Sequence, residues 1–172
     1  MAPAPTASSC RRAGLASPST VVIALGSNLG DRRANIVDAA RELARLFTTF
    51  QLSSLIETAP VGEGLELDPP YLNAVAVGES ELPPAAIMDR LREIEAARGR
   101  TRPYQGAPRT LDLDLILAGD VMIEEPGLQV PHPRFRDRLF VLEPLAEVAP
   151  DLVDPVTGLT VRALLEKKKA GA

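Results

Sequence analysis

The sequence predicts one domain that mixes strands and helices, and three observations carry that expectation. At 172 residues the chain has length for one sizeable core but not comfortably for two. Short β-branched and apolar runs of strand length recur along it. Between them lie stretches in which apolar residues return every three or four positions, the signature of amphipathic helices.

The elements follow in order. "VVIALGSN", Val21 to Asn28, reads as a buried first strand that ends in a Gly-Ser-Asn turn. Asp31 is placed to cap a helix whose apolar stripe is Ile36, Val37, Ala40, Leu43, Ala44 and Phe47. "FQLSSLIET", Phe50 to Thr58, alternates loosely and reads as a second strand, and "YLNAVAVGES", Tyr71 to Ser80, reads as a third. The intervening "APVGEGLELDPP" has too many Gly and Pro for regular structure and reads as a long exposed loop. Pro83 and Pro84 suit a helix start, Ile87, Met88, Leu91 and Ile94 form its stripe, and Gly99 suits its end. "RGRTRPYQGAP" is a basic loop leading into the strand "PRTLDLDLIL". The segment 121–150 mixes a short strand, proline-rich turns and a short helix, and "TVRALLEKKK" closes with a small amphipathic helix. No domain boundary is visible after about residue 20, so 21–172 reads as one domain.

Composition narrows the function. Apolar residues make up 45% and charged residues 24%, the balance of a soluble globular protein. A net charge of −4 gives no global attraction for nucleic acid or an anionic membrane, and the absence of Trp with only two Tyr and four Phe argues against base-stacking surfaces. Cys10 has no partner for a disulfide, and a single His rules out a Cys/His zinc cluster. The lone cysteine leads to a reducing, cytoplasmic setting as the expectation, and with no apolar run of bilayer length a soluble chain is expected. Residues 1–20, rich in Ala, Ser and Pro with Arg11 and Arg12 and no acid, read as a disordered tail, with a targeting segment as the alternative.

The chemistry concentrates at Asp112 and Asp114. In extended backbone they share a face, with Leu111, Leu113 and Leu115 on the other, and their Cα atoms stand roughly 7 Å apart. Either that face meets solvent or the carboxylates share a cation. The apolar strand around them favours compensation, and hard oxygen donors suit magnesium, which completes its octahedron with water and phosphate oxygens. Arg98, Arg100, Arg102 and Arg109 precede the pair closely and are suited to bind phosphate. "ALGSNLGDR" has neither the GxGxxG nor the GxxxxGK[ST] spacing, so Gly26, Ser27, Asn28 and Gly30 read as turn residues. His132 stands between prolines beside Arg134, Arg136 and Arg138, either structural or a phosphate donor. Tyr71 and Asn73 share a strand face; Asn73 can pair with a flat heterocycle and Phe140 can stack on one, although Tyr71 and Phe140 equally suit core packing.

In order, "ALGSNLGDR", "ETAPVG" with "PPYLNAVA", "EIEAARGRTR", "APRTLDLDLIL", "VPHPRFRDRLFVLEPL" and "EVAPDLVDP" resemble the 6-hydroxymethyl-7,8-dihydropterin pyrophosphokinase family of folate biosynthesis, from about Val21 to Leu165. The resemblance implies a ferredoxin-like α+β sandwich, its central, mostly antiparallel sheet covered by helices on one side. It implies transfer of the two terminal phosphates of ATP to the hydroxymethyl group of the dihydropterin, with AMP released and two Mg2+ ions assisting. Asp112 and Asp114 would hold metal; Arg100 and Arg109 would clamp phosphate; His132 and Arg138 would sit on the ATP side. Thr58, Val61, Tyr71, Asn73, Glu95 and Phe140 would form the pterin side. Tyr104 is the only aromatic residue in a loop where some relatives carry Trp. Expected partners are the two small substrates alone, with no nucleic acid or membrane, acting on a monomer. A non-catalytic magnesium or nucleotide-binding module on the same fold is the alternative.

Overall fold

The first apolar run becomes the second strand in from the edge of a sheet. β1 spans Ser19–Ser27, and its alternate residues are buried on both faces. The structure, a computed structural model, describes residues 17–60, 64, 67–99 and 110–171. Val61, Arg100, Arg102, Tyr104 and Arg109, and most of the segment 1–20, lie outside the described residues.

Asp31 caps α1 (Arg32–Ala44) as expected, its carboxylate accepting the Ala34 N–H at 3.0 Å. The buried stripe is Ile36, Ala39, Ala40 and Leu43; the helix stops at Ala44, so Phe47 packs from the connection beyond it. The expected strand 50–58 is two pieces, β2 (Thr49–Leu52) and β3 (Ile56–Thr58), both paired with β4 (Tyr71–Ser80). α2 runs Pro84–Ala97, with Pro at its first position and Gly99 beyond its C-cap at φ +72°. β5 (Asp112–Ala118) pairs with β1, giving the antiparallel order β2, β4, β1, β5 with β3 also on β4. With β2 and β3 counted as one broken edge, this is the ferredoxin-like βαββαβ order. A hairpin of β6 (Ile123–Glu125) and β7 (Leu128–Val130), a 3-10 turn at Phe135–Asp137, α3 (Leu139–Val148) and α4 (Val161–Ala170) complete the chain.

The helices lie on both faces of the sheet, which corrects the one-sided covering implied by resemblance. On the first face Val21, Ile23, Leu25, Ala74, Ala76, Leu113 and Leu115 pack against Ile36 and Leu43 of α1 and Ile87 and Leu91 of α2. On the second, Val22, Val75, Ile116 and Leu117 pack against Val141, Leu142 and Leu145 of α3 and Val161 and Leu164 of α4. The two αβ layers are forced by strands that are apolar at both even and odd positions. The register slips between Val22 and Ile23, which brings Ile116 and Leu117 together under the second pair of helices.

Candidate active site

The second face changes character along its length. Val22 lies opposite Val77 and Ala24 opposite Val75, but one step on, Gly26 lies between Asn73 on β4 and Asp112 on β5. Asp114 is opposite Ala24. Facing residues of antiparallel strands share a side, so Asn73, Tyr71, Asp112 and Asp114 all project from the face that carries α3 and α4, at the end past their apolar contacts. Gly26 is the floor between them rather than only a turn residue. A Cβ there would meet Asn73 Oδ1 at 3.3 Å and Tyr71 Cδ1 at 3.7 Å, so glycine is what lets the two side chains lean across β1.

Each side chain has a defined support. Asn73 is buried and donates from Nδ2 to Thr58 Oγ1 at 2.7 Å, joining two expected pterin-side residues from separate strands. Glu95, 2% exposed on α2, comes from the opposite face and accepts the main-chain N–H of Leu113 at 2.8 Å. It therefore grips β5 midway between the two aspartates and does not join Asn73 and Tyr71 on their face. Arg138 lies 3.9 Å from Asp114 Oδ2, with its guanidinium 5.5 Å from the Phe140 ring centre.

His132 is tied to the same strand, its N–H donating to Ile116 O at 2.9 Å. The ring nitrogen Nδ1 accepts the Arg134 N–H at 3.1 Å, so the neutral ring carries its proton on Nε2. Burial, then the charges of Arg138 and Arg134, lower its pKa to about 4 against the opposing pull of Asp112. At neutral pH His132 is an uncharged donor.

Arg98, expected to face phosphate, and Arg136, a neighbour of His132 in sequence, are both committed elsewhere. Arg98 reaches Asp38 at 3.1 Å and Glu42 at 3.3 Å, fastening the end of α2 to α1. Arg136 makes a bidentate pair with fully buried Asp154, at 2.6 and 2.8 Å, and its guanidinium lies 4.6 Å from the Phe135 ring centre. Burial raises the Asp154 pKa, but the bonds from Arg136 and Thr157 outweigh it and leave that carboxyl below its ordinary range.

Asn28 does more than the turn reading gave it, and Arg32 acts with it. Asn28 Nδ2 donates to Pro69 O at 3.2 Å, and Arg32 donates to Pro70 O at 2.8 Å and Glu57 Oε2 at 3.0 Å. They hold the end of the long loop against the start of α1, directly before Tyr71. An N-terminal helix position carrying Arg is the only local sequence signal, because the partners are 25 to 41 residues away.

The donor set tests which metal fits. Asp112 and Asp114 are half-buried hard donors on one face, and among the described residues no three His, Cys, Asp or Glu side chains form a metal-competent group. Two carboxylates suit magnesium, which leaves other positions to water and phosphate, and do not suit an all-protein zinc cage. Among the described residues no helix is long and apolar enough to cross a membrane.

Comparison with known proteins shows what the chain is similar to. The sequence profile of the family described as "7,8-dihydro-6-hydroxymethylpterin-pyrophosphokinase" matches residues 22–150. The chain is 41% identical over 134 residues to the 2-amino-4-hydroxy-6-hydroxymethyldihydropteridine pyrophosphokinase of Pseudomonas aeruginosa, covering 77% of this chain and 82% of that protein. It is 37% identical over 148 residues to the folic acid synthesis protein fol1 of Pneumocystis carinii, covering 86% of this chain but only 20% of that longer protein. A crystal structure of wild-type Plasmodium falciparum HPPK-DHPS with pterin and p-hydroxybenzoate superimposes with a TM-score of 0.68 at 16% identity, covering 90% of this chain and 44% of that one. At that identity the last likeness speaks for the fold.

Proposed function

Because the chain belongs to the 7,8-dihydro-6-hydroxymethylpterin-pyrophosphokinase family, we propose that it transfers the terminal diphosphate of ATP to 6-hydroxymethyl-7,8-dihydropterin. The substrate hydroxyl oxygen bonds to the β-phosphorus, the bond from that phosphorus to the α,β-bridging oxygen breaks, and AMP leaves. The observation that carries this reading is the row Asn73, Gly26 and Asp112 across three strands, which sets a heterocycle-reading amide beside a metal-competent carboxylate pair.

Asp112 and Asp114 are the residues that would hold Mg2+, two ions in this proposal. Metal held by these two carboxylates would supply electrostatic stabilisation of the charge that develops on the triphosphate. His132 donates Nε2–H to a phosphate oxygen without adding charge, and Arg138 supplies a cation beside Asp114. Arg100 and Arg109 complete the phosphate clamp in this proposal. On the other side Asn73 and Thr58 present paired polar atoms to the pterin edge, Tyr71 and Phe140 offer ring faces, and Val61 belongs to the same side. Glu95 acts through the backbone of β5. In this proposal the protein acts as a monomer in the cytoplasm on these two small substrates.

Product analysis tests the proposal. With ATP, Mg2+ and the hydroxymethyl dihydropterin, phosphorus NMR should show AMP and a pterin diphosphate in equal amounts; ADP as the nucleotide product would overturn it.

A further inference from the structure

The edge of the sheet beside Asn73 changes register by one residue. Along β2, Thr49 faces Glu79 and Leu52 faces Ala76. Continued unchanged, that register would set Ile56 opposite Leu72 and Thr58 opposite Pro70. Along β3, however, Ile56 faces Asn73 and Thr58 faces Tyr71. One extra residue is therefore absorbed between positions 53 and 55, as in a β-bulge.

The consequence is a change of face. In β2 the even residues Phe50 and Leu52 pack into the apolar layer under α1 and α2. Without the slip, Thr58 would follow them there. A one-residue shift turns every later side chain over, so Ile56 and Thr58 emerge on the face of Asn73 and Tyr71. The 2.7 Å hydrogen bond between Asn73 and Thr58 exists only in the shifted register.

The bulge is held by two serines and an acid from α3. The Ser53 N–H donates to Val75 O at 2.9 Å, while the Val75 N–H is taken by the Ser53 hydroxyl at 2.8 Å, a side chain standing in for the next ladder acceptor. Ser54 then turns out of the ladder. Its N–H donates to Glu147 Oε1 at 2.9 Å and its hydroxyl to Glu147 Oε2 at 2.5 Å. Glu147 occupies the last turn of α3, where the helix dipole disfavours a carboxylate, and the two donors offset that cost. The Ser54 hydroxyl and then its N–H hold the Glu147 pKa below its ordinary value.

We infer that Ser54 and Glu147 are positioning residues that lock the edge-strand register and thereby place Thr58 beside Asn73 for the pterin. The inference rests on the pterin-side reading given above and adds to it residues that touch no substrate. Ser54→Ala and Glu147→Gln test it in the full chain, with Ser54→Thr as the conservative control. With Mg2+ and a non-hydrolysable ATP analogue present, the Kd for 6-hydroxymethyl-7,8-dihydropterin should rise about tenfold in the first two, the size of one charge-assisted hydrogen bond. Affinity for the ATP analogue should stay within about twofold of wild type, as the contact lies off the nucleotide side. Ser54→Thr should bind like wild type.

A ligand-free readout separates this from the functional reading. The Asn73 side-chain amide should be protected from hydrogen exchange in wild type and Ser54→Thr and exposed in Ser54→Ala. Unchanged Asn73 protection and unchanged pterin affinity in both variants would overturn the lock, as would equal losses for both ligands. A wild-type protein that protects Asn73 but binds no dihydropterin would retain the register lock and refute its service to that substrate.

Discussion

The two faces of the sheet use the same strands for opposite ends. The face toward α1 and α2 is apolar throughout, from Val21 to Leu25 on β1 and from Leu113 to Leu115 on β5. The face toward α3 and α4 starts the same way, with Val22, Val75 and Ile116, then gives way to Ala24, Gly26, Asn73, Asp112 and Asp114. Alternation, corrected by the register shifts at Ile116 and between residues 53 and 55, assigns the faces; distance along the strand decides whether the second face meets helices or polar groups. The same backbone that is made rigid by burial on one side therefore presents polar groups at fixed spacing on the other.

Substitutions on the two faces should separate stability from binding. Ile23→Ala, on the closed face at 0% exposure, should cost about 3 kcal/mol of unfolding free energy in denaturant titration, with an unchanged AMP product. Gly26→Ala, on the open face, should weaken dihydropterin binding about tenfold, because its methyl group presses on Asn73 Oδ1. If Gly26→Ala bound the pterin normally, Gly26 would not be the floor of the site.

The smallest expected effect is a null one. This chain has one histidine, so one imidazole signal reports His132 directly. With its pKa lowered to about 4, that signal should stay flat between about pH 5.5 and pH 8. The unfolded chain takes up this proton first, so the stability contribution is complete above about pH 6.5 and is lost as the pH falls toward 4. A midpoint near 6.5 in the folded protein would break the assignment of a neutral donor.

Much of this was legible because it depends on local period. The alternation of Leu111, Leu113 and Leu115 against Asp112 and Asp114 fixed the carboxylate face, and Asp31 marked the start of α1. What escaped depends on distant partners. Arg98 and Arg136 look like phosphate ligands among their neighbours, but their carboxylates arrive from Asp38, Glu42 and Asp154. The strand break at Ser53 and Ser54 is hidden because a serine hydroxyl takes a ladder position and Glu147 lies 93 residues away. The short helices in 121–150 and at "TVRALLEKKK" were expected, but a helix's own apolar stripe does not say which face of the sheet it packs on, so the covering of the second face was missed.

In the proposed reaction, Asp112 and Asp114 turn the open end of the second face into a magnesium and triphosphate site. Calorimetric titration with a non-hydrolysable ATP analogue, with and without Mg2+, on wild type and on folded Asp112→Ala and Asp114→Ala, tests it most directly. Wild type should bind at least about tenfold more tightly with Mg2+, and each variant should lose that dependence. Variants that kept the full magnesium dependence would contradict the assignment.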